Sequence, residues 1–136
     1  MKTFSTYNQD YLYETNGNLA QFPTQVKNRY DRLTIEISDV LTRLGIKKSL
    51  RGYKYLRSAV RLGLEDSESI DLITKIMYPS IAKEYGATPG RVERAIRTAI
   101  CSAEKNPHTM ESMLRISGHM TNKEFISELV EYMRLR

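Results

Sequence analysis

The chain has 136 residues, with 21 Lys and Arg against 16 Asp and Glu and a formal net charge of +5. This length predicts one domain, and 40% hydrophobic residues suffice for a modest core. No apolar run approaches the roughly 20 residues of a membrane span, and no secretory signal is visible. One Cys and two His are too few for a disulfide framework or a structural zinc site. We expect a cytoplasmic protein without metal or other cofactor and without a membrane partner.

The first 30 residues differ from the rest of the chain. They are rich in Asn, Gln, Thr and Tyr and lack a sustained apolar pattern at helical spacing. The sequence therefore predicts a polar N-terminal arm over 1–30, either ordered or not, followed by a helical domain over 31–136.

From residue 31 onward, apolar residues recur at helical spacing and no strand pattern competes. The first helix ends at Gly45, and Ser49 is a candidate N-cap for the second. A third helix begins near Ser67 or Ser69, and Pro79 opens a short fourth.

Thr88 and Pro89 predict an N-cap and first position for a long helix that ends near 104, before Asn106 and Pro107. A short helix over 109–116 and a final one over 122–135 complete the chain. The fold class is therefore all-α, a compact bundle of six to seven helices.

The positive charge is concentrated in two stretches. Residues 43–64 hold seven basic residues and no acidic one, and residues 87–105 hold four basic and two acidic residues. An acidic segment, 65–86, separates them. Such clustering is typical of a protein that binds a polyanion, although a solvated helix face is the alternative.

The segment 78–97 shows the spacing of a helix-turn-helix. Ala82 supplies the small residue where two helices touch, Gly86 the turn, and Val92 the apolar residue that packs back on the first helix. In the second helix, Gly90, Arg94, Arg97 and Cys101 share the outward face.

A helix that enters the major groove presents such an outward face. Arg94 can bind guanine O6 and N7, and Glu93 can accept a hydrogen bond from cytosine N4. The alternative is that Glu93 and Arg97, four residues apart, form a surface ion pair.

At these residues the sequence resembles the C-terminal effector domain of the bacterial master response regulator that starts sporulation. The resemblance covers about 33–135 and includes RGYKYLRSAV at 51–60 and ITKIMYPSIAKEYGATPGRVERAIRTAI at 73–100. It implies a sequence-specific transcription factor that binds TGTCGAA-like boxes, often as tandem dimers, and is associated with the nucleoid.

The resemblance also implies roles for individual residues. Glu93 and Arg94 are expected to contact bases, and Arg91 and Arg97 to contact bases or the backbone. Candidates for contacts with the DNA backbone are Thr88, Arg91, Lys83, Lys48, Arg51 and Lys54.

Two departures from the family follow from the same comparison. Family members usually carry a receiver domain before this one, and residues 1–32 are too few for a receiver. The stretch between Ser112 and Thr121 is shorter than the family's loop near protomer contacts. We expect a stand-alone relative or a fragment, regulated without a receiver in this stretch.

Two hypotheses remain at the level of sequence. The leading one is a DNA-binding transcription regulator, with double-stranded DNA, RNA polymerase and a second copy as partners. The alternative is a protein-interaction module or dominant competitor that acts on the full-length regulator or the polymerase through the N-terminal arm. An enzyme is not expected, because His108 and His119 have no accompanying nucleophile motif.

Overall fold

A computed structural model describes residues 24–136, and their side chains from residue 32 onward. Within this range there are seven α-helices and no strand, which confirms the all-α prediction. The predicted arm lies outside the described residues except for 24–30. The helices are α1 (Thr24–Arg43), α2 (Arg51–Glu65), α3 (Glu68–Asp71), α4 (Tyr78–Tyr85), α5 (Pro89–Glu104), α6 (Pro107–Leu114) and α7 (Asn122–Arg134).

Several helix boundaries differ from the sequence-based predictions. The short helix predicted over 109–116 is α6, which begins and ends two residues earlier. Helix α1 begins at Thr24 rather than near 31. Leu50, not Ser49, is the N-cap of α2, and it makes no side-chain cap hydrogen bond. The predicted third helix is split, because Leu72 leaves helical geometry (φ −107°, ψ 49°), so α3 stops at Asp71 and a π-helical turn, Ile73–Met77, leads into α4. The apolar spacing alone does not distinguish these two arrangements.

Residues 36–136 form one compact unit, and the described residues before 36 belong to another. Within the first of these, α2 packs most extensively against α5 and α7, and α5 also packs against α4. The core contains fully buried apolar side chains from these helices, from α1 and the loop after it, and from the π-helical turn. The largest are Phe125, Ile37, Leu41, Leu44, Ile46, Leu56, Met77, Ile81, Ile96, Ile100, Ile126 and Leu129.

Helices α2 and α5 approach closely at Gly52. A Cβ atom at this position would collide with the Ala95 carbonyl oxygen and lie 2.8 Å from the Ala99 Cβ. The crossing therefore requires glycine for steric reasons, and it places the first turn of α2 beside the middle of α5.

None of the helices in the described part of the chain is long and apolar enough to cross a membrane.

Candidate nucleic-acid interface

The turn between α4 and α5 is built by local hydrogen bonds. Gly86 adopts a left-handed conformation (φ 66°, ψ 36°) and ends α4. The amides of Gly86 and Ala87 both donate to the Ala82 carbonyl, the latter at 2.8 Å. Nothing lies within 4 Å of a Cβ placed at Gly86, so the glycine is needed for its backbone conformation rather than for space.

Helix α5 begins as the sequence predicts. The Thr88 side chain accepts a hydrogen bond from the Arg91 amide at 3.2 Å, and Pro89 occupies the first helical turn. Ala82 and Val92, the other two residues of the predicted spacing, are both buried. Two helices thus meet across a three-residue turn, 86–88.

Helix α5 has one buried and one exposed face. The buried face consists of Val92, Ile96, Ala99, Ile100 and Ala103, while Ala95 is partly exposed. The exposed face runs from the first turn of the helix to Cys101. It consists of Gly90, Arg91, Glu93, Arg94, Arg97, Thr98 and Cys101.

The predicted surface ion pair on α5 is present but weak. The Arg97 guanidinium lies 3.8 Å from the Glu93 carboxylate, and both side chains are about half exposed. Exposed pairs of this kind contribute roughly 0–1 kcal/mol. Arg94 forms no ion pair with another described residue, and its guanidinium extends toward Gly90, at 4.0 Å from a Cβ placed there. The side chains of this face are therefore available for a ligand at little energetic cost.

The first turn of α2 adds positive charge along one side of α5. Arg51 precedes the crossing at Gly52 and is exposed. The Lys54 ammonium lies 5.2 Å from the centre of the Tyr85 ring, a cation–π contact at the end of α4. These two residues therefore flank α5 and the turn that precedes it.

The later basic residues of α2 are held within the protein instead. Arg57 donates to the Ser38 hydroxyl at 3.3 Å and lies 6.0 Å above the Tyr53 ring. Arg61 is half-buried, and burial lowers the pKa of its guanidinium, although Glu84 and Glu65 act in the opposite direction. These two arginines thus contribute less to the exposed basic surface.

All nine predicted site residues are exposed, as contact with DNA requires. The structure brings together those of α5, the turn before it and the first turn of α2, whereas Lys83 lies on α4 and Lys48 in the loop before α2. These residues are Thr88, Arg91, Glu93, Arg94, Arg97, Lys83, Lys48, Arg51 and Lys54.

The comparison with known families decides what kind of domain this is. The family model described as "Sporulation initiation factor Spo0A C terminal" matches residues 37–133. The chain belongs to this family. Domains of the Spo0A C-terminal family are DNA-binding effector domains of transcription regulation in sporulation. The match agrees with the resemblance noted over about 33–135 and includes α2 to α6 and all of α7 but its last residue, Arg134.

One feature of this domain was missed at the level of sequence. The side chain of Asn122, at the start of α7, donates a hydrogen bond to the backbone carbonyl of Glu93 in α5 at 3.1 Å. The capping box Thr121–Glu124 that begins α7 is visible in the sequence as TNKE. An asparagine after an N-cap is ordinary, however, so no local signal marks this contact.

Among the described residues, no group of His, Cys, Asp and Glu could hold a metal ion.

Proposed function

We propose that this chain is a sequence-specific DNA-binding transcription regulator in which α4 and α5 form a helix-turn-helix and α5 enters the major groove. The observation that carries this proposal is the continuous exposed face of α5, in a domain of the Spo0A C-terminal family. By the resemblance of its recognition helix, the target is a TGTCGAA-like box.

The chemistry of the exposed face fits such a box. Arg94 carries a planar guanidinium that is not paired with another described residue and can bind guanine O6 and N7 together. The neighbouring Glu93 carboxylate can accept from cytosine N4. Because the pair between Glu93 and Arg97 is weak, Arg97 can exchange that partner for a base or a phosphate.

Phosphate contacts would come from the N-terminal end of α5 and from the part of α2 that lies beside it. Arg91 and Thr88 lie in and just before its first turn, and Arg51 and Lys54 lie beside it on α2. Lys83 and Lys48 supply further exposed positive charge on α4 and before α2. Such contacts position the domain on the duplex, whereas base contacts determine the sequence that it prefers.

The partners beyond DNA are part of the same proposal. A regulator of this kind acts on transcription through RNA polymerase, and tandem boxes would place two copies of the domain side by side. Activity in the nucleoid of a bacterial cell follows from DNA as the ligand.

In vitro selection of bound duplexes tests the proposal most directly. We expect the wild-type protein to enrich TGTCGAA-like boxes from random DNA. Arg94→Ala should cost about 1–3 kcal/mol on the enriched box and relax the preference at the guanine position.

Lys105→Ala is the matched control, because it removes one exposed positive charge just beyond the other end of α5. It should leave the order of preferred sequences unchanged. If Arg94→Ala lost the same affinity for the box and for scrambled DNA, the base-reading role of Arg94 would be contradicted. If the wild-type protein enriched no sequence, sequence-specific binding itself would be contradicted.

A further inference from the structure

Asn122 is a polar residue with a buried side chain. It is the first residue of α7 and is 4% exposed. The other buried polar residues of the described chain are serines: Ser58 shares a hydrogen bond with the Tyr85 hydroxyl, and Ser69 donates to the Asp66 carbonyl. Of these three side chains, that of Asn122 bonds to two helices other than its own.

The asparagine amide joins α7 to both helices of the proposed DNA-binding unit. Its Nδ2 atom donates to the Tyr78 hydroxyl oxygen, at the start of α4, at 3.0 Å. The same Nδ2 donates to the Glu93 carbonyl oxygen, in α5, at 3.1 Å. Because an amide nitrogen carries two N–H groups in a fixed plane, the two acceptors are held at a fixed angle.

This arrangement carries an energetic cost. The Oδ1 atom of Asn122 is buried and accepts no hydrogen bond from the described residues. A buried polar atom without a partner is unfavourable, and an apolar side chain of similar size would avoid that penalty. Such a side chain would, however, leave the buried Tyr78 hydroxyl without this bond, and it would supply no directed donor to α4 or α5.

The bond to α5 is made at the level of the proposed base-reading residues. Glu93 presents its carboxylate to solvent while its carbonyl receives the Asn122 amide, and Arg94 follows directly. Buried Val92 and Ile96 hold α5 against the core, but apolar packing is not directional. A hydrogen bond is directional, so the Asn122 bond restrains how far the helix turns about its own axis.

We propose that Asn122 is a positioning residue for DNA recognition: its bonds to Tyr78 and to the Glu93 carbonyl set the orientation of α5, so that Glu93 and Arg94 meet the base edges. This inference rests on the proposed function of α5. The Asn122 side chain itself touches no base; it acts through the backbone of the helix that does.

The test compares Asn122→Ala with Thr121→Ala. Both changes weaken the start of α7, but Thr121→Ala removes only the capping box and leaves the bonds to α4 and α5 in place. Binding of each variant to a duplex with a TGTCGAA box and to a scrambled duplex is measured by fluorescence anisotropy at several salt concentrations. Melting temperatures show whether the two variants are destabilised to a similar extent.

Asn122→Ala should lower the preference for the box by about tenfold, comparable to the loss of one base contact. Its affinity for the scrambled duplex and the salt dependence of that affinity should stay at the wild-type values, because phosphate contacts remain. Thr121→Ala should keep the wild-type preference. Tyr78→Phe, which removes only a hydroxyl, should give a smaller loss than Asn122→Ala and covers the case in which Asn122→Ala does not fold.

A second readout requires no DNA. The Glu93 carbonyl is also the helical acceptor of the Arg97 amide, so the Arg97 amide resonance should shift in Asn122→Ala and not in Thr121→Ala. An unshifted resonance, or a preference within about twofold of that of Thr121→Ala, would overturn the positioning role. If the wild-type protein bound the box and the scrambled duplex equally well, the proposed function would be overturned. The positioning role of Asn122 would then fall with it.

Discussion

Helices α2 and α5 look alike in the sequence and behave differently in the structure. Both carry arginines or lysines at intervals of three or four residues, so each could present a basic face. On α5, all three arginines are exposed. On α2, the first two basic residues, Arg51 and Lys54, are exposed beside α5, and the next two are partly buried.

The difference lies in what surrounds each helix. Arg57 and Arg61 of α2 have partners within the fold: the Ser38 hydroxyl and the Tyr53 ring for the former, and the nearby carboxylates of Glu84 and Glu65 for the latter. Half of the basic positions of α2 therefore contribute little to a surface for DNA. The sequence shows how many basic residues a segment contains, whereas helix packing determines which of them are exposed on the same surface.

The largest effect should come from breaking the crossing of the two helices. Gly52→Ala introduces a Cβ that collides with the Ala95 carbonyl, and overpacking of this kind costs about 1–3 kcal/mol. Urea unfolding should show this loss. DNA binding should also weaken for all sequences, because Arg51 and Lys54 move relative to α5.

Gly90→Ala is the matched control, since a Cβ there meets only the Arg94 side chain, at 4.0 Å. It should leave stability unchanged or raise it by up to about 1 kcal/mol. A Gly52→Ala protein as stable as the wild type would show that the two helices can separate without cost.

A smaller effect on DNA binding should distinguish the first two basic residues of α2 from the next two. Lys54→Ala should weaken binding to box and scrambled duplexes alike and reduce the slope of log K against log salt by about one. Arg57→Ala removes the same charge one helical turn away and should leave the slope unchanged, because Arg57 is held by Ser38 and Tyr53. If both variants reduced the slope by about one, Arg57 would face the DNA as Lys54 does; if neither did, the proposed phosphate contact of Lys54 would be wrong.

The smallest effect concerns pH and the contact between α4 and α7. Burial raises the pKa of the Tyr78 phenol above its ordinary value of 10.0, partly offset by its hydrogen bond with Asn122. Because the folded-state pKa is the higher one, the contribution to stability is complete below about pH 10 and is lost as the pH rises through the folded-state pKa. Tyr78→Phe should therefore lose less of its free energy of unfolding than the wild type between pH 9 and 11, measured by urea titration. An identical alkaline loss in both proteins would contradict this.

Much of the candidate site follows from local rules. The capping of α5 by Thr88, the turn at Gly86 and the outward face with Arg94 were all predicted correctly. Each depends on residues within one or two helical turns of each other, where spacing and capping preferences act directly. The split at Leu72 was missed because a π-helical turn and an α-helix place apolar residues at similar spacings.

By itself, the sequence determined the all-α class, the limits of α5 and the residues on its exposed face, because these depend on hydrogen bonds and periodicity along one segment. The tertiary structure decided which basic residues of α2 lie beside α5, and that Asn122 joins Tyr78 and Glu93. Those partners are 44 and 29 residues away in the chain. Contacts over such separations arise only when the helices pack, so no local pattern records them.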